Sequence, residues 1–102
     1  MQKTRKKERF QWPKAGPCEQ DTRKTSVVRV DWVDSATERG WRTIDKLVDG
    51  PANCTSCGFL IKRTRRYVTI AASLGVYNDC LDAVNIPMDV IRRVQVIRRA
   101  PS

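Results

Sequence analysis

The residues of this chain best suited to chemistry are its four cysteines, Cys18, Cys54, Cys57 and Cys80. Cys54-Thr55-Ser56-Cys57 has the C-x-x-C spacing of zinc knuckles and redox loops. Adding Cys18 and Cys80 satisfies the arithmetic of a four-thiolate zinc site. Two features weigh against zinc. The outer cysteines are single and far apart, where a zinc ribbon shows a second close pair, and there is no histidine to substitute. Cys80 also falls in a predicted strand, where a free cysteine acts as a small apolar residue. A disulfide between Cys54 and Cys57 is not expected in a reducing cytoplasm. A thioredoxin-type role needs a helix N-terminus to lower a thiol pKa, and here the motif precedes a strand. The expectation is no cofactor, with zinc on the four cysteines as the alternative.

Catalytic groupings are harder to assemble. The commonest general base is missing with histidine. Asp31 and Asp34 stand three apart on a predicted strand, so their side chains leave on opposite faces and do not work as a pair. The five glycines are scattered, with no P-loop, dinucleotide fingerprint or nucleophile elbow. The reading is of a protein that is not an enzyme.

Cations carry the stronger signal. Lys62, Arg63, Arg65 and Arg66 place four positive charges in five residues, followed by Tyr67. At a hairpin tip such arginines donate paired hydrogen bonds to phosphate, and the tyrosine ring offers a stacking surface. The plain alternative is a solvated tip charged to prevent edge-to-edge aggregation. A second basic group, Lys3, Arg5, Lys6, Lys7 and Arg9, precedes Phe10 and Trp12. Those two aromatics either stack on bases, anchor in a partner's groove, or fold back onto the protein's own domain.

The net charge of +9 is unevenly placed. Residues 1–25 carry a net +5 and residues 92–102 a net +4, from Arg92, Arg93, Arg98 and Arg99, while residues 26–91 balance. A neutral body with basic ends suits contact with a polyanion, because Lys and Arg displace its condensed counterions. Whether the C-terminal arginines extend the hairpin patch depends on adjacency that the sequence leaves open.

These groups need elements to hold them. At 102 residues the chain has room for one domain with one modest core. Residues 1–25, with Pro13, Gly16 and Pro17 and no periodicity, read as a basic, flexible arm. The domain is expected over residues 26–99, with 100–102 as a tail. Val28, Val30 and Trp32 alternate with Arg29 and Asp31, the pattern of a half-buried strand. Trp41, Ile44, Leu47 and Val48 recur at helical spacing up to Gly50-Pro51, which predicts a short amphipathic helix packed across one end of a sheet. From Ser56 onward a strand with Phe59 and Ile61 runs to the charged tip, and residues 67–72 return with high β propensity. Residues 80–86 form a further strand, Pro87 opens a single helical turn, and residues 92–97 form the last strand. Trp32, Trp41 and Phe59 fall on apolar periodic positions and are expected in the core.

The order is strand, short helix, three strands, helical turn, strand. The fold class is mainly β: a small five-stranded SH3-like or Sm-like barrel with one short helix and a single helical turn before the last strand. Trp32-Val33-Asp34-Ser35, Gly40-Trp41, Gly58-Phe59-Leu60, residues 68–73 and Ile86-Pro87 together resemble a group of small, mostly uncharacterised proteins of tailed bacteriophages. The resemblance covers about residues 28–97 and implies an accessory, non-enzymatic phage role, without carrying over any functional residue.

The function expected is nucleic-acid binding, with Lys3, Arg5, Lys6, Lys7, Arg9, Trp12, Lys62, Arg63, Arg65, Arg66 and Tyr67 as contacts. The alternative is a protein-interaction module, a virion component or an inhibitor of a host protein, whose arm orders on its partner. A variant of it is a homo-oligomeric ring assembled through free strand edges. No apolar run approaches the roughly 18 residues of a membrane span, and no apolar stretch follows the basic N-terminus as in a secretory signal. The expected location is the cytoplasm, that of the bacterial host for a phage protein, or the virion.

Overall fold

The computed structural model describes residues 10–34, 41–46 and 50–101. Five strands follow in chain order: β1 (Val27–Asp34), β2 (Ala52–Arg63), β3 (Tyr67–Leu74), β4 (Cys80–Pro87) and β5 (Ile91–Arg98). They make one antiparallel sheet in the order β4-β3-β2-β1-β5. The first strand is therefore internal, and the last returns to its free edge after a 3-10 turn at Met88–Val90.

Alternation in β1 does what a period of two dictates. Val28 and Val30 are buried, Trp32 packs against the same core, and Arg29 between them is exposed. Register carries that face across the sheet: Val28 stands beside Gly58 and Val96, and Val30 beside Ser56 and Val94. Val68 and Ile70 of β3 face Ile86 and Val84 of β4 in the same way. The buried cluster is Val28, Val30, Leu60, Val68, Ile70 and Ile86. Burying each such aliphatic side chain contributes about 1.5–3 kcal/mol. The Trp32 indole N–H donates to Ser56 Oγ at 3.0 Å, which satisfies its one polar group.

Leu60 is the joint of the fold. The register of β2 against β3 shifts between Leu60 and Lys62, a bulge that bends the strand. Its N–H donates to the Ser26 carbonyl at 2.9 Å, and its own carbonyl accepts from Gly16 N–H at 3.0 Å. Two residues earlier, a Cβ on Gly58 would stand 2.5 Å from the Ala71 carbonyl oxygen, so only glycine lets β3 pass this close.

Residues 10–26 lie against this body. Trp12 packs on the core and Pro13 is buried. Thr25 and Ser26 are fully buried but bonded: Cys18 N–H donates to Thr25 Oγ1, Arg98 donates to the Thr25 carbonyl, and Ala100 N–H donates to Ser26 Oγ. Of the expected arm, residues 1–9 lie outside the described residues, while in residues 10–25 Trp12 and Ala15 pack on the core and Gly16 N–H bonds to Leu60, contacts with no periodic trace in the sequence.

Four expectations need correction. The described part of residues 41–48 holds only a 3-10 turn, Ile44–Lys46, and no α-helix occurs among the described residues. Trp41 is fully exposed and Ile44 is 86% exposed, so neither is core; Leu47 and Val48 lie outside the described residues. Periodicity alone does not make so short a helix, which needs a surface to pack on. Phe59 is half-buried, outside the central cluster. β2 also starts earlier than its apolar pattern, at Ala52, because residues 52–55 pair with β1. Among the described residues, no helix is long and apolar enough to cross a membrane.

Candidate nucleic-acid interface

The hairpin joining β2 and β3 is built around one threonine. Thr64 N–H donates to the Tyr67 carbonyl at 2.9 Å, and Thr64 Oγ1 accepts from the N–H groups of Arg66 and Tyr67, each at 3.1 Å. A hydroxyl that takes two main-chain donors fixes a tight turn. The turn leaves Lys62, Arg63, Arg65 and Arg66 exposed around it. Tyr67 is half-buried, and Lys62 Nζ lies 5.8 Å from its ring centroid, a cation–π contact. A base stacking on Tyr67 would share that ring with the lysine.

Met88 N–H donates to the Arg66 carbonyl at 2.8 Å, which continues the β3–β4 pairing and ties the turn that leads into β5 to the hairpin. Arg92 and Arg93 of β5 are exposed. A bulge in the pairing of β1 with β5 sets Asp31 opposite Arg93 and Trp32 opposite Ile91, with Arg92 between them in the chain. Arg92 Nη1 donates to the Asp89 carbonyl at 3.1 Å. Arg98, at the other end of β5, is committed to the Thr25 carbonyl and serves the fold.

Next to Arg92 and Arg93 lies an open groove of about 600 Å³. Half-buried Trp12, Met88, Ile91 and Val94 form its floor, and Phe10 forms a wall. The Phe10 and Trp12 rings meet edge to face, 5.2 Å apart at 89°. Trp12, expected as a contact, is thus held against the core with Phe10 outside it. Lys3, Arg5, Lys6, Lys7 and Arg9 lie outside the described residues.

Comparison with models of known protein families, with curated proteins and with solved structures gives no match for this chain. Its chemistry has to be read from its own side chains.

The cysteines do not gather. Cys54 and Cys57 both lie within β2, three residues apart, so they leave on opposite faces of the sheet. Cys18 belongs to the segment before β1 and Cys80 to the first residue of β4. Among the described residues no three His, Cys, Asp or Glu side chains come together as metal ligands would.

The described carboxylates with shifted acidity are held by partners. Asp31 accepts from Thr55 Oγ1 at 2.8 Å and from Arg29 Nε at 3.3 Å, and these bonds, the Thr55 one first, hold its pKa below the usual carboxylate value. Asp21 caps the 3-10 turn Thr22–Lys24 and accepts from the side chain and backbone of Arg23, which lowers its pKa to about 2. Both stay anionic at neutral pH, and both sit beside arginines that they partly neutralise.

The candidate surface has two parts, the pinned hairpin and the groove lined by Arg92 and Arg93, with Met88 bonded to the first and lining the second. The hairpin half was readable from composition. Arg92, Arg93 and Phe10 were candidates in the sequence by type, and the groove that they line together is supplied by the fold.

Proposed function

We propose that this chain is a non-enzymatic nucleic-acid-binding protein, an accessory protein of the tailed-phage kind its motifs resemble. The observation that carries the reading is the pinned turn, around which Lys62, Arg63, Arg65 and Arg66 are all exposed. Charges fixed on a rigid turn meet phosphates at less entropic cost than charges on a free chain. Residues 1–9 add five more cations in sequence. The scaffold is a small SH3-like or Sm-like barrel. That reading is supported by β1 lying between β2 and β5 and by the single turn before the last strand. The setting is the host cytoplasm or the virion.

With six phosphate contacts, from Lys62, Arg63, Arg65, Arg66, Arg92 and Arg93, affinity for duplex DNA falls roughly a thousandfold between about 50 and 200 mM salt. The test is an anisotropy titration of labelled single- and double-stranded DNA and RNA at those two concentrations. It compares the full chain with two variants, one with Lys62, Arg63, Arg65 and Arg66 changed to Ala, the other with Lys3, Arg5, Lys6, Lys7 and Arg9 changed to Ala. Micromolar binding with a steep salt slope that flattens in the hairpin variant supports the reading. No binding by the full chain at 50 mM salt ends it.

A second reading, a protein-interaction module, is favoured by the exposure of Trp41 and Ile44 on the β1–β2 connection. Exposed aromatic and aliphatic side chains of this size are common anchors in protein interfaces. Pull-down with and without Trp41→Ser and Ile44→Ser separates this reading from the first.

A further inference from the structure

We propose that the groove between Phe10 and the start of β5 takes an unstacked base of a single-stranded nucleic acid, whose flanking phosphates lie on Arg92 and Arg93. The proposal rests on the nucleic-acid reading above and names the form of nucleic acid that the site selects.

Size comes first. A groove of about 600 Å³ falls within the roughly 300–1,000 Å³ of small-ligand clefts, so a base with its sugar fits. Its floor is apolar and fixed: Trp12, Ile91 and Val94 all pack against the buried cluster. Phe10, at 36% exposure, meets the Trp12 ring edge to face and lines the groove. An exposed ring beside a rigid indole is a stacking platform for any base, because every base has a π-face.

Charge then chooses the occupant. Arg92 and Arg93 rim the groove, and Met88 on its floor is hydrogen-bonded to Arg66 of the hairpin tip. A backbone that runs from the tip to the groove meets cations at both ends of its path. Two acids lie nearby. Asp31 accepts from Thr55 and Arg29 and stands opposite Arg93 in the pairing of β1 with β5, and Arg92 donates to the main-chain carbonyl of Asp89. The surroundings favour an anionic chain that also carries flat apolar groups, which is the description of a single strand. A duplex keeps its bases stacked inside and offers only phosphate to this site.

The test measures binding of the full chain to labelled dT10, rU10 and a blunt DNA duplex at one salt concentration. Variants are Phe10→Ala, Phe10→Leu and the pair Arg92→Ala with Arg93→Ala, with thermal melts to establish folding. Single strands are expected to bind at least tenfold more tightly than duplex. Both Phe10 variants lose about tenfold on single strands, the size of one stacked base, and less than twofold on duplex. Phe10→Leu keeps an apolar side chain without the ring, so it answers even where Phe10→Ala melts. Tighter binding of dT10 or of rU10 supports the proposal and identifies the source. Equal, salt-dependent binding of single strand and duplex, unchanged in Phe10→Leu, overturns the groove and leaves the basic hairpin standing. Displacement of dT10 by poly-glutamate as efficient as by unlabelled dT10 also overturns it, since charge alone would then suffice. Failure to bind any nucleic acid at low salt removes the functional reading as well.

Discussion

At its C-terminal end, β2 turns into β3 through residues 64–66, and one hydroxyl holds that turn to its backbone. At its N-terminal end it is reached from β1 by residues 35–51, where the described side chains of Trp41 and Ile44 are exposed. The tight end surrounds itself with cations and needs no apolar cover, because hydrogen bonds specify its shape. At the long end the described Trp41 and Ile44 lie open to solvent. Rigidity and charge go together at one end, length and exposed apolar area at the other, and the same strand serves both. Local hydrogen bonds can specify a turn alone, whereas an apolar segment needs something to cover.

Leu60, on which both ends depend, is the place to break the molecule. Leu60→Ala should cost about 2–5 kcal/mol in urea unfolding, since the side chain is fully buried at the bulge. A loss below about 1 kcal/mol would mean that the joint lies elsewhere. Thr64→Ala sharpens the comparison at the tight end. It leaves the Arg66 and Tyr67 amides without their acceptor and should lower stability by about 1 kcal/mol. Binding to nucleic acid should weaken several-fold in the same variant while all four cations remain, and unchanged binding would show that charge matters and its placement does not. At the long end, Trp41→Ser with Ile44→Ser should shift stability by no more than about 0.5 kcal/mol, as surface substitutions do. A larger loss would mean that the two ends differ less than they look.

Much of the fold was legible because strands betray themselves by alternation. Val28, Val30 and Trp32 placed β1, residues 67–72 placed most of β3, and Pro87 placed the turn before β5. The first four residues of β2 were not legible, since Ala52, Asn53, Cys54 and Thr55 carry no apolar rhythm and are strand only because β1 lies beside them. Irregularity in β4 has a local cause: Asp82 takes a positive φ of 56°, so the alternation falters where the backbone does. The helical spacing misled at Trp41 and Ile44, which are exposed, while Leu47 and Val48 lie outside the described residues. For the interface, the hairpin cations are a run of letters and could be read directly. The meeting of Arg66 with Met88 exists only once β3 and β4 have paired.

The internal place of β1 has a consequence in time. Of the five strands it leaves the ribosome first and receives its second neighbour last, with Val27 facing Arg98 at the far end of β5. Throughout that interval the nascent chain presents an unpaired strand edge, and Thr25 and Ser26 await Arg98 and Ala100. A stall or a premature stop anywhere before β5 would therefore release an adhesive fragment rather than a smaller version of the protein.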